Sequence, residues 1–231
     1  MAPIETSDAG LRAYYARRAA EYEAIYAKPE RQADLALLRQ EFAAAFPGRN
    51  VIEIACGTGY WTPHIAAGAA SVDAFDINEE TLLLARAKNV DPARVRFARA
   101  DAYALPVPSR RYDAAFGGFW WSHVPWQDLP RFLEGLHRVL APGARVIFFD
   151  NRYVEGSSTP IARVDSEGNT YQLRTLGDGS AHEVLKNFPD PQALKAAVRP
   201  HAATARVHLL PYYWWLDYSV AGPRDKSGHN D

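Results

Sequence analysis

The alternation of short apolar runs with helical segments between residues 50 and 150 is the feature that most constrains the fold. Five runs carry β-branched and aromatic residues: NVIEIA (50–55), SVDAFDI (71–77), VRFARA (95–100), YDAAFGGFW (112–120) and ARVIFFD (144–150). Some of the segments between these runs have apolar residues at helical spacing, as in EETLLLARAK (79–88) and DLPRFLEGLHRVL (128–140). This alternation predicts an α/β fold with a parallel sheet and helices on both faces. The loops that follow the strands then lie at one edge of the sheet.

The flanking segments follow other patterns. Residues 11–46 have helical spacing that Pro29 interrupts, and Pro47-Gly48 ends it. After residue 151 we expect two strands around a turn at 177–179, a short helix capped by Asp190, and a last strand in which Pro211 favours an edge or a bulge. We expect one domain over 1–222, made of a helical lid (1–47), a core (50–150) and a C-terminal part (151–222), with a disordered tail at 223–231.

Composition excludes several functional classes. The net charge of −1 disfavours a nucleic-acid or membrane surface, and 48% apolar residues are typical of a soluble globular protein. A single cysteine, Cys56, allows no internal disulfide and fits a reducing compartment. No signal peptide or spanning apolar run is evident, so we expect a cytoplasmic protein. The sequence leaves the oligomeric state, monomer or homodimer, open.

A thin loop and two acids indicate a nucleoside site. After the first strand, small residues at Ala55, Gly57 and Gly59 let a ligand approach the backbone, and the glycines can take positive φ. Asp76 ends the second strand, where an acid can accept two hydrogen bonds from a ribose diol. Asp101 follows the third strand and could accept a hydrogen bond from an adenine amino group.

Phosphate-bearing nucleotides fit this loop poorly. A dinucleotide fingerprint needs a third glycine, and the series here reads Gly57, Gly59, Thr62. A phosphate-binding loop of the Walker type needs a lysine that is absent. We therefore expect an adenosine without phosphate, and a nicotinamide-dependent oxidoreductase stays a disfavoured alternative.

Four motifs in order resemble those of class I S-adenosylmethionine-dependent methyltransferases: VIEIACGTGYWT, VDAFDINEE, RADAYALPVPSRRYDAAFGG and LHRVLAPGARVIFFD. The resemblance covers roughly residues 50–150, with Ala55 where the family has the first of three glycines. It implies a Rossmann-like, seven-stranded, mostly parallel sheet with an N-terminal helical lid, and S-adenosylmethionine as cofactor.

The resemblance also implies roles for single residues. Asp76 would hold the ribose and Asp101 the adenine, while backbone carbonyls of Gly57 and Gly117 would meet the methionine ammonium. Glu53 would accept hydrogen bonds from loop amides and add a negative field near the cofactor. The full cofactor set is Tyr14, Tyr22, Glu53, Ala55, Gly57, Gly59, Asp76, Ile77, Asp101, Ala102 and Gly117, with the two tyrosines acting as a lid.

The acceptor side is less specific. His123 is the base candidate on the loop after the fourth strand, although a helix-capping or backbone-bonding role is an open alternative. Aromatic walls at Trp120, Trp121, Tyr153 and Tyr213 would suit a flat heterocycle or a cationic amine. No metal is expected, because Gly117-Gly118 stands where the partner acid of Asp150-Asn151 would be.

We therefore expect methyl transfer to a nitrogen or oxygen of a small metabolite, aromatic or cationic in character. The alternative is a non-catalytic adenosylmethionine-binding or regulatory protein.

Overall fold

The computed structural model of the protein describes residues 14–109 and 111–222. The expected helical start at Leu11 and the expected tail at 223–231 lie outside these residues. The strands are β1 (Asn50–Ile54), β2 (Ser71–Asp76), β3 (Val95–Arg99), β4 (Tyr112–Gly118), β5 (Leu140–Asn151), β6 (Ile161–Val164), β7 (Thr170–Thr175), β8 (Ala181–Leu185), β9 (Ala202–Leu209) and β10 (Tyr213–Val220). The α-helices are α1 (Gln32–Ala43), α2 (Thr62–Ala66), α3 (Glu79–Arg86), α4 (Leu129–Val139) and α5 (Pro191–Val198).

The larger sheet has seven strands in the order β3-β2-β1-β4-β5-β10-β9. The pairings from β3 to β5 are parallel, whereas β10 runs antiparallel to β5 and to β9. The predicted mostly parallel, seven-stranded sheet is confirmed. The strand order reverses between β1 and β4, and in open α/β sheets ligands bind beyond the strand ends at that point.

Helices cover both faces of the sheet, as predicted. Side chains of β1 alternate between them: Ile52 belongs to one hydrophobic cluster and Val51 to the other. The stripe of α4 that includes Phe132 and Leu136 is fully buried on the first face. Leu38 of α1 is equally buried on the second. Each such side chain contributes about 1.5–3 kcal/mol of burial free energy, so both faces anchor the strand ends.

The C-terminal part has more strands than expected. The predicted strands around 177–179 are β7 and β8, and β6 adds a third strand to form a separate antiparallel sheet. The residues of β6 are all exposed, so no apolar alternation marks them in the sequence. The last segment forms a hairpin of two strands, and Pro211 lies in its turn rather than at a strand edge or bulge. Asp190 caps α5, as predicted, by accepting a hydrogen bond from the Ala193 N–H at 2.7 Å.

The N-terminal segment lies over the carboxyl edge of the sheet. Residues 14–18 are helical, a 3-10 helix continues over Ala19–Ala27, and a second one spans Pro29–Arg31. Lys28 between them is extended, which is the conformation that a following proline favours. The interruption at Pro29 is therefore confirmed. Among the described residues, no helix combines the length and the apolar character that crossing a bilayer requires.

Candidate active site

The glycine loop joins β1 to α2 in a tight turn. Gly57 and Gly59 have φ values of +57° and +71°, so the predicted left-handed backbone is confirmed. The two positions have different surroundings. A Cβ on Gly57 would meet nothing within 4 Å, whereas a Cβ on Gly59 would lie 3.0 Å from Cβ of Ala85 in α3. Gly57 therefore borders open space, and Gly59 lets the loop pack against a helix.

Two residues other than glycine share this left-handed conformation within the described chain. They are Ala55, with φ +52°, and Phe119, with φ +57°. Such a conformation costs an L-residue about 1–2 kcal/mol. Both stand directly after a central strand, β1 and β4 respectively, where the chain turns away from the sheet. Backbone strain thus concentrates at the switch point of the strand order.

Asp76 organises the loop from the end of β2. Its Oδ2 accepts a hydrogen bond from the Gly57 N–H at 2.8 Å, and its Oδ1 accepts from the Asn78 N–H at 2.9 Å and the Thr81 hydroxyl at 3.1 Å. Burial raises the pKa of this carboxyl, while the three hydrogen bonds act in the opposite direction. The carboxylate therefore holds the turn as well as facing the cavity beside it.

A cavity of about 830 Å³, measured out to its open mouth, lies beside this turn; we term it the loop cavity. It is lined by Tyr15, Tyr22, Ile54, Ala55, Gly57, Phe75, Asp76, Ile77, Asn78, Thr81, Ala100, Asp101, Ala102, Tyr103, Leu105, Gly118, Phe119, Trp120 and His123. Most of the predicted cofactor residues therefore come together around one space. Its lining is largely apolar, with the carboxylates of Asp76 and Asp101 at successive strand ends.

Glu53 does not line this cavity. Its side chain is 2% exposed beneath the loop, where Oε2 accepts a hydrogen bond from the Thr62 hydroxyl at 2.8 Å. Burial raises the pKa of this carboxyl to about 8, and the neighbouring Asp76 acts in the same direction. The hydrogen bond comes from a hydroxyl rather than from the expected loop amides. Burial favours the neutral form of Glu53, which would carry no negative field. The field that the sequence analysis expected at the cofactor therefore stays a prediction.

A second cavity adjoins the first on the side of the N-terminal segment and the small sheet. We term it the basic cavity, because five cationic side chains and one carboxylate, Glu21, line it. The cations are Arg18, Lys28, Arg31, Arg174 and Lys186. Tyr15, Tyr22, Phe119 and His123 line both cavities, so these four residues mark the junction where the two spaces meet.

His123 stands at the junction with both ring nitrogens engaged. Nδ1 lies 2.6 Å from the Leu185 carbonyl oxygen, and Nε2 lies 2.7 Å from the Tyr15 hydroxyl. Burial lowers the pKa of this imidazole well below its ordinary value, and the charges of Lys186 and Arg174 lower it further. The ring is therefore neutral at neutral pH. A base must accept a proton, which these surroundings disfavour, so the role of His123 as a base stays a prediction.

Lys186 lies beside His123 in a buried polar cluster. Its Nζ donates to Asp150 Oδ1 and to the Ser122 hydroxyl, both at 2.6 Å. Burial lowers the pKa of this ammonium to about 8, although the Asp150 carboxylate opposes the shift. Burial acts to raise the pKa of Asp150, yet Lys186 holds it below its ordinary value. Asp150, which the sequence suggested as one possible ligand of a metal ion, is therefore the counter-ion of Lys186.

Comparison with known proteins places this site in a family. A sequence profile described as "Methyltransferase domain" matches residues 51–143. The structure of the "DhpI-SAM-HEP complex" superimposes with a TM-score of 0.75 at 30% identity, covering 92% of this chain and 99% of that one. The ubiquinone/menaquinone biosynthesis C-methyltransferase UbiE of Teredinibacter turnerae is 34% identical over 173 residues, 67% of each chain. The chain belongs to the class I S-adenosylmethionine-dependent methyltransferases.

Other relatives match this methyltransferase over a shorter stretch. The 2-phytyl-1,4-naphtoquinone methyltransferase of Synechococcus elongatus is 35% identical over 116 residues. That match takes in 48% of this chain, which spans about half (49%) of the relative's length. S-adenosylmethionine is the cofactor of the methyltransferase, as the resemblance implied.

The loop cavity suits this cofactor. Gly57 leaves open space over the turn, and Asp76 and Asp101 supply carboxylate acceptors at successive strand ends. The indole Nε1 of Trp120 is buried in the wall and has no hydrogen-bond partner among residues 14–109 and 111–222. A nucleoside with heteroatoms and hydroxyls could satisfy these groups.

The four aromatic residues that were predicted to line the acceptor pocket lie in different parts of the structure. Trp120 lines the loop cavity and Tyr213 the basic cavity. Trp121 is 1% exposed and packs edge-on against Phe148 and Trp214 in the core, so it lines neither cavity. Tyr153 is 42% exposed and lines neither cavity, although it packs on Phe188 in the wall of the basic cavity. Spacing alone does not separate Trp120 from Trp121, because neighbouring side chains in a short turn can point to either side.

Gly117 and Tyr14 also lie elsewhere than expected. A Cβ on Gly117 would fall 2.5 Å from Cε1 of Phe148, so packing against β5 explains this glycine, and its neighbour Gly118 lines the loop cavity. Tyr14 is buried beside the basic cavity, against Leu176.

Sequence reasoning missed the residues that give the basic cavity its character: Tyr15, Arg18, Arg174 and Lys186. Arg174 and Lys186 belong to the small antiparallel sheet and the chain leaving it. The sequence did contain one signal for this cavity. Gln172 and Arg174 are two residues apart on β7, so they share one face of the strand, and a polar face that points inward must meet a polar group.

Proposed function

We propose that this methyltransferase transfers the methyl group of S-adenosylmethionine to an anionic oxygen of a small acid bound in the basic cavity. When bound, the cofactor supplies an electrophilic methyl group on a positively charged sulfur. An ionised oxygen of the acid would take up that methyl as the carbon–sulfur bond breaks, and S-adenosylhomocysteine would leave with the electron pair of that bond. An oxygen that is already ionised requires no base, which agrees with the lowered pKa of His123.

The observation that carries this proposal is the unmatched positive charge of the basic cavity. Of its five cations, only Lys186 lies within salt-bridge distance of a carboxylate in the part of the chain that the structure describes. Arg31 is 6% exposed, and its guanidinium donates to Asn151 and Ser157, which are neutral groups. Arg174 donates to the Gln172 amide oxygen at 2.8 Å. Removing such charges from water costs several kcal/mol each unless an anion accompanies them.

The same charges disfavour the cationic acceptor that the aromatic residues suggested from sequence. A cationic amine would face like charges at short range. A quinone with a long apolar chain, the kind of substrate in the printed name of the Synechococcus relative, would leave these cations desolvated without a partner. An oxygen acceptor therefore fits the lining better than a nitrogen or carbon acceptor.

The chain itself contributes binding, orientation and exclusion of water. Asp76 and Ile77 would meet the ribose of the cofactor, Asp101 and Ala102 the adenine, and Gly57 the methionine part. The junction of Tyr22, Phe119 and His123 would bring the two reacting groups together. Alignment of donor and acceptor can supply up to ~7–11 kcal/mol in favourable cases. Two adjoining cavities also favour an enzyme over a purely regulatory cofactor-binding protein.

The test is transfer of a labelled methyl group to a panel of small carboxylates, phosphonates, amines and a short-chain naphthoquinol. We expect turnover with the acids. Arg174→Gln should raise the KM for an active acid at least tenfold, about 1.4 kcal/mol, and leave S-adenosylhomocysteine affinity unchanged. Arg163→Gln is the matched control, because Arg163 lies on the same small sheet but pairs with Glu183 at the surface.

Exclusive turnover of amines or of the naphthoquinol would contradict the proposal. So would an Arg174→Gln variant that retains the wild-type KM for the acid.

A further inference from the structure

The hydrogen bonds at the junction of the two cavities have a fixed direction. The Leu185 carbonyl oxygen can only accept, so the hydrogen of neutral His123 lies on Nδ1. Nε2 then carries a lone pair and must accept, so the Tyr15 hydroxyl donates to it across 2.7 Å. Through the ring of His123, the Leu185 carbonyl thereby determines the orientation of the Tyr15 hydroxyl.

The protonation states preserve this direction. The pKa of His123 is lowered by burial and by Lys186 and Arg174, which keeps the ring neutral, with Asp150 opposing them. The pKa of Tyr15 is raised by burial, which keeps the phenol protonated, although Arg174 acts against that shift. Neither group reverses its role near neutral pH.

Tyr15 consequently offers the cavities only lone pairs. Its single hydrogen is committed to His123, so the phenolic oxygen can only accept a hydrogen bond from any further partner. The Arg174 guanidinium lies beside the same hydroxyl. A molecule bound at the junction would also meet this oxygen as an acceptor, since Tyr15 lines both cavities there.

We propose that Tyr15 is a specificity-determining residue that accepts a hydrogen bond from an O–H group of the methyl acceptor. The acceptor is then an oxyacid that keeps one hydroxyl while another of its oxygens is ionised and methylated. A fully ionised anion would point an oxygen lone pair at the Tyr15 lone pair and is rejected. This inference rests on the proposed anionic acceptor and adds the donor group that the acceptor must carry.

Two tetrahedral anions of similar shape test it. At about pH 6, inorganic phosphate carries at least one O–H group in both of its populated ionisation states, whereas sulfate carries none. Calorimetry would measure the affinity of both anions for the protein saturated with S-adenosylhomocysteine. We expect phosphate to bind at least tenfold more tightly than sulfate, although sulfate has the larger negative charge. A site built to hydrogen-bond a hydroxyl rejects analogues that lack it by factors of this size or more.

Tyr15→Phe should abolish the preference, because phosphate loses the acceptor of its O–H group and sulfate no longer meets an opposing lone pair. Arg17→Gln should retain it, because Arg17 is exposed on the same helical segment and pairs with Asp178 outside the cavities.

The remaining outcomes contradict either the role of Tyr15 or the anionic acceptor. Sulfate binding as tightly as phosphate to the wild type, or a preference that survives in Tyr15→Phe, overturns the role of Tyr15 and leaves the anionic acceptor standing. Absence of binding by both anions overturns the anionic acceptor itself, and this inference with it.

Discussion

At the scale of single residues, the two glycines of the loop serve different physical requirements. Both need a left-handed backbone, but only Gly59 also needs the absence of a side chain for packing, since its Cβ would crowd Ala85. Gly57 needs that absence only for whatever occupies the open space beside it. The sequence shows two similar glycines, and the structure distinguishes them.

A pair of alanine variants would separate these requirements. Gly57→Ala should cost about 1–2 kcal/mol of stability, because only the backbone is strained, and should weaken S-adenosylmethionine binding. Gly59→Ala should cost more, because the strain adds to a contact with α3. Chemical denaturation and calorimetric titration would measure the two effects, and equal losses of stability would contradict the distinction.

Glu53 supplies a second prediction at this scale, through pH. Its pKa lies near 8 in the folded protein and near 4.5 as its ordinary value, so between these pH values the folded state holds a proton that the unfolded state has lost. The free energy of unfolding should therefore fall as pH rises through this range. Glu53→Gln should lose this part of the pH dependence. Denaturation at a series of pH values measures it, and superimposable slopes for the two proteins would refute the shift.

At the scale of elements, the N-terminal segment and the small sheet act as one cover over the site. Tyr14 forms a buried cluster with Leu176 and Val184, and the neighbouring Tyr15 bonds to His123. The small sheet is bonded in turn to the loop after β4, through the Asn187 N–H and the Ser122 carbonyl. The lid is therefore positioned by contacts with a sheet that follows it by more than a hundred residues.

The start of α5 gives a prediction about a single element. Asp190→Ala removes the acceptor of the Ala193 N–H and should cost about 0.5–2 kcal/mol of stability. Asp190→Asn keeps a cap and should remain close to wild type. Thermal denaturation of both variants would measure this, and an alanine variant as stable as the asparagine variant would rule out a stabilising cap.

At the scale of the whole molecule, the basic cavity depends on parts of the chain that are far apart in sequence. Arg18 and Arg31 come from the N-terminal region, Arg174 from β7, and Lys186 from the chain after β8. Asp150 at the end of β5 holds the lysine in place. The charge of this cavity is a property of the assembled fold.

Lys186 predicts how acceptor binding depends on pH. Because the pKa of Lys186 lies near 8, its positive charge is present below that pH and is lost above it. The affinity for an anionic acceptor should therefore weaken as pH rises through about 8. Lys186→Arg keeps its charge and should show no such step. The pH dependence of the acceptor KM tests this, and a wild-type profile as flat as that of the arginine variant would contradict it.

The sequence by itself determined the architecture of the protein and predicted which residues gather beside the glycine turn. Alternating strand and helix patterns, a glycine turn and acids at successive strand ends are local signals, and a parallel sheet brings its strand ends to one edge whatever the details of packing. Asp76 and Gly57 were predicted in this way, and both line the loop cavity. Ala55 was recognised as a departure from the family, and the structure gives it the same left-handed backbone as a glycine.

Only the tertiary structure decided which side chains line the basic cavity. Whether Trp121 points to the core, whether Glu53 keeps a proton and whether arginines from separate elements share a cavity depend on distances across the fold. Sequence spacing carries no information about those distances. Burial and charge are set by all neighbouring elements together, and so the basic cavity and the hydrogen-bond direction at Tyr15 emerged only once the chain was folded.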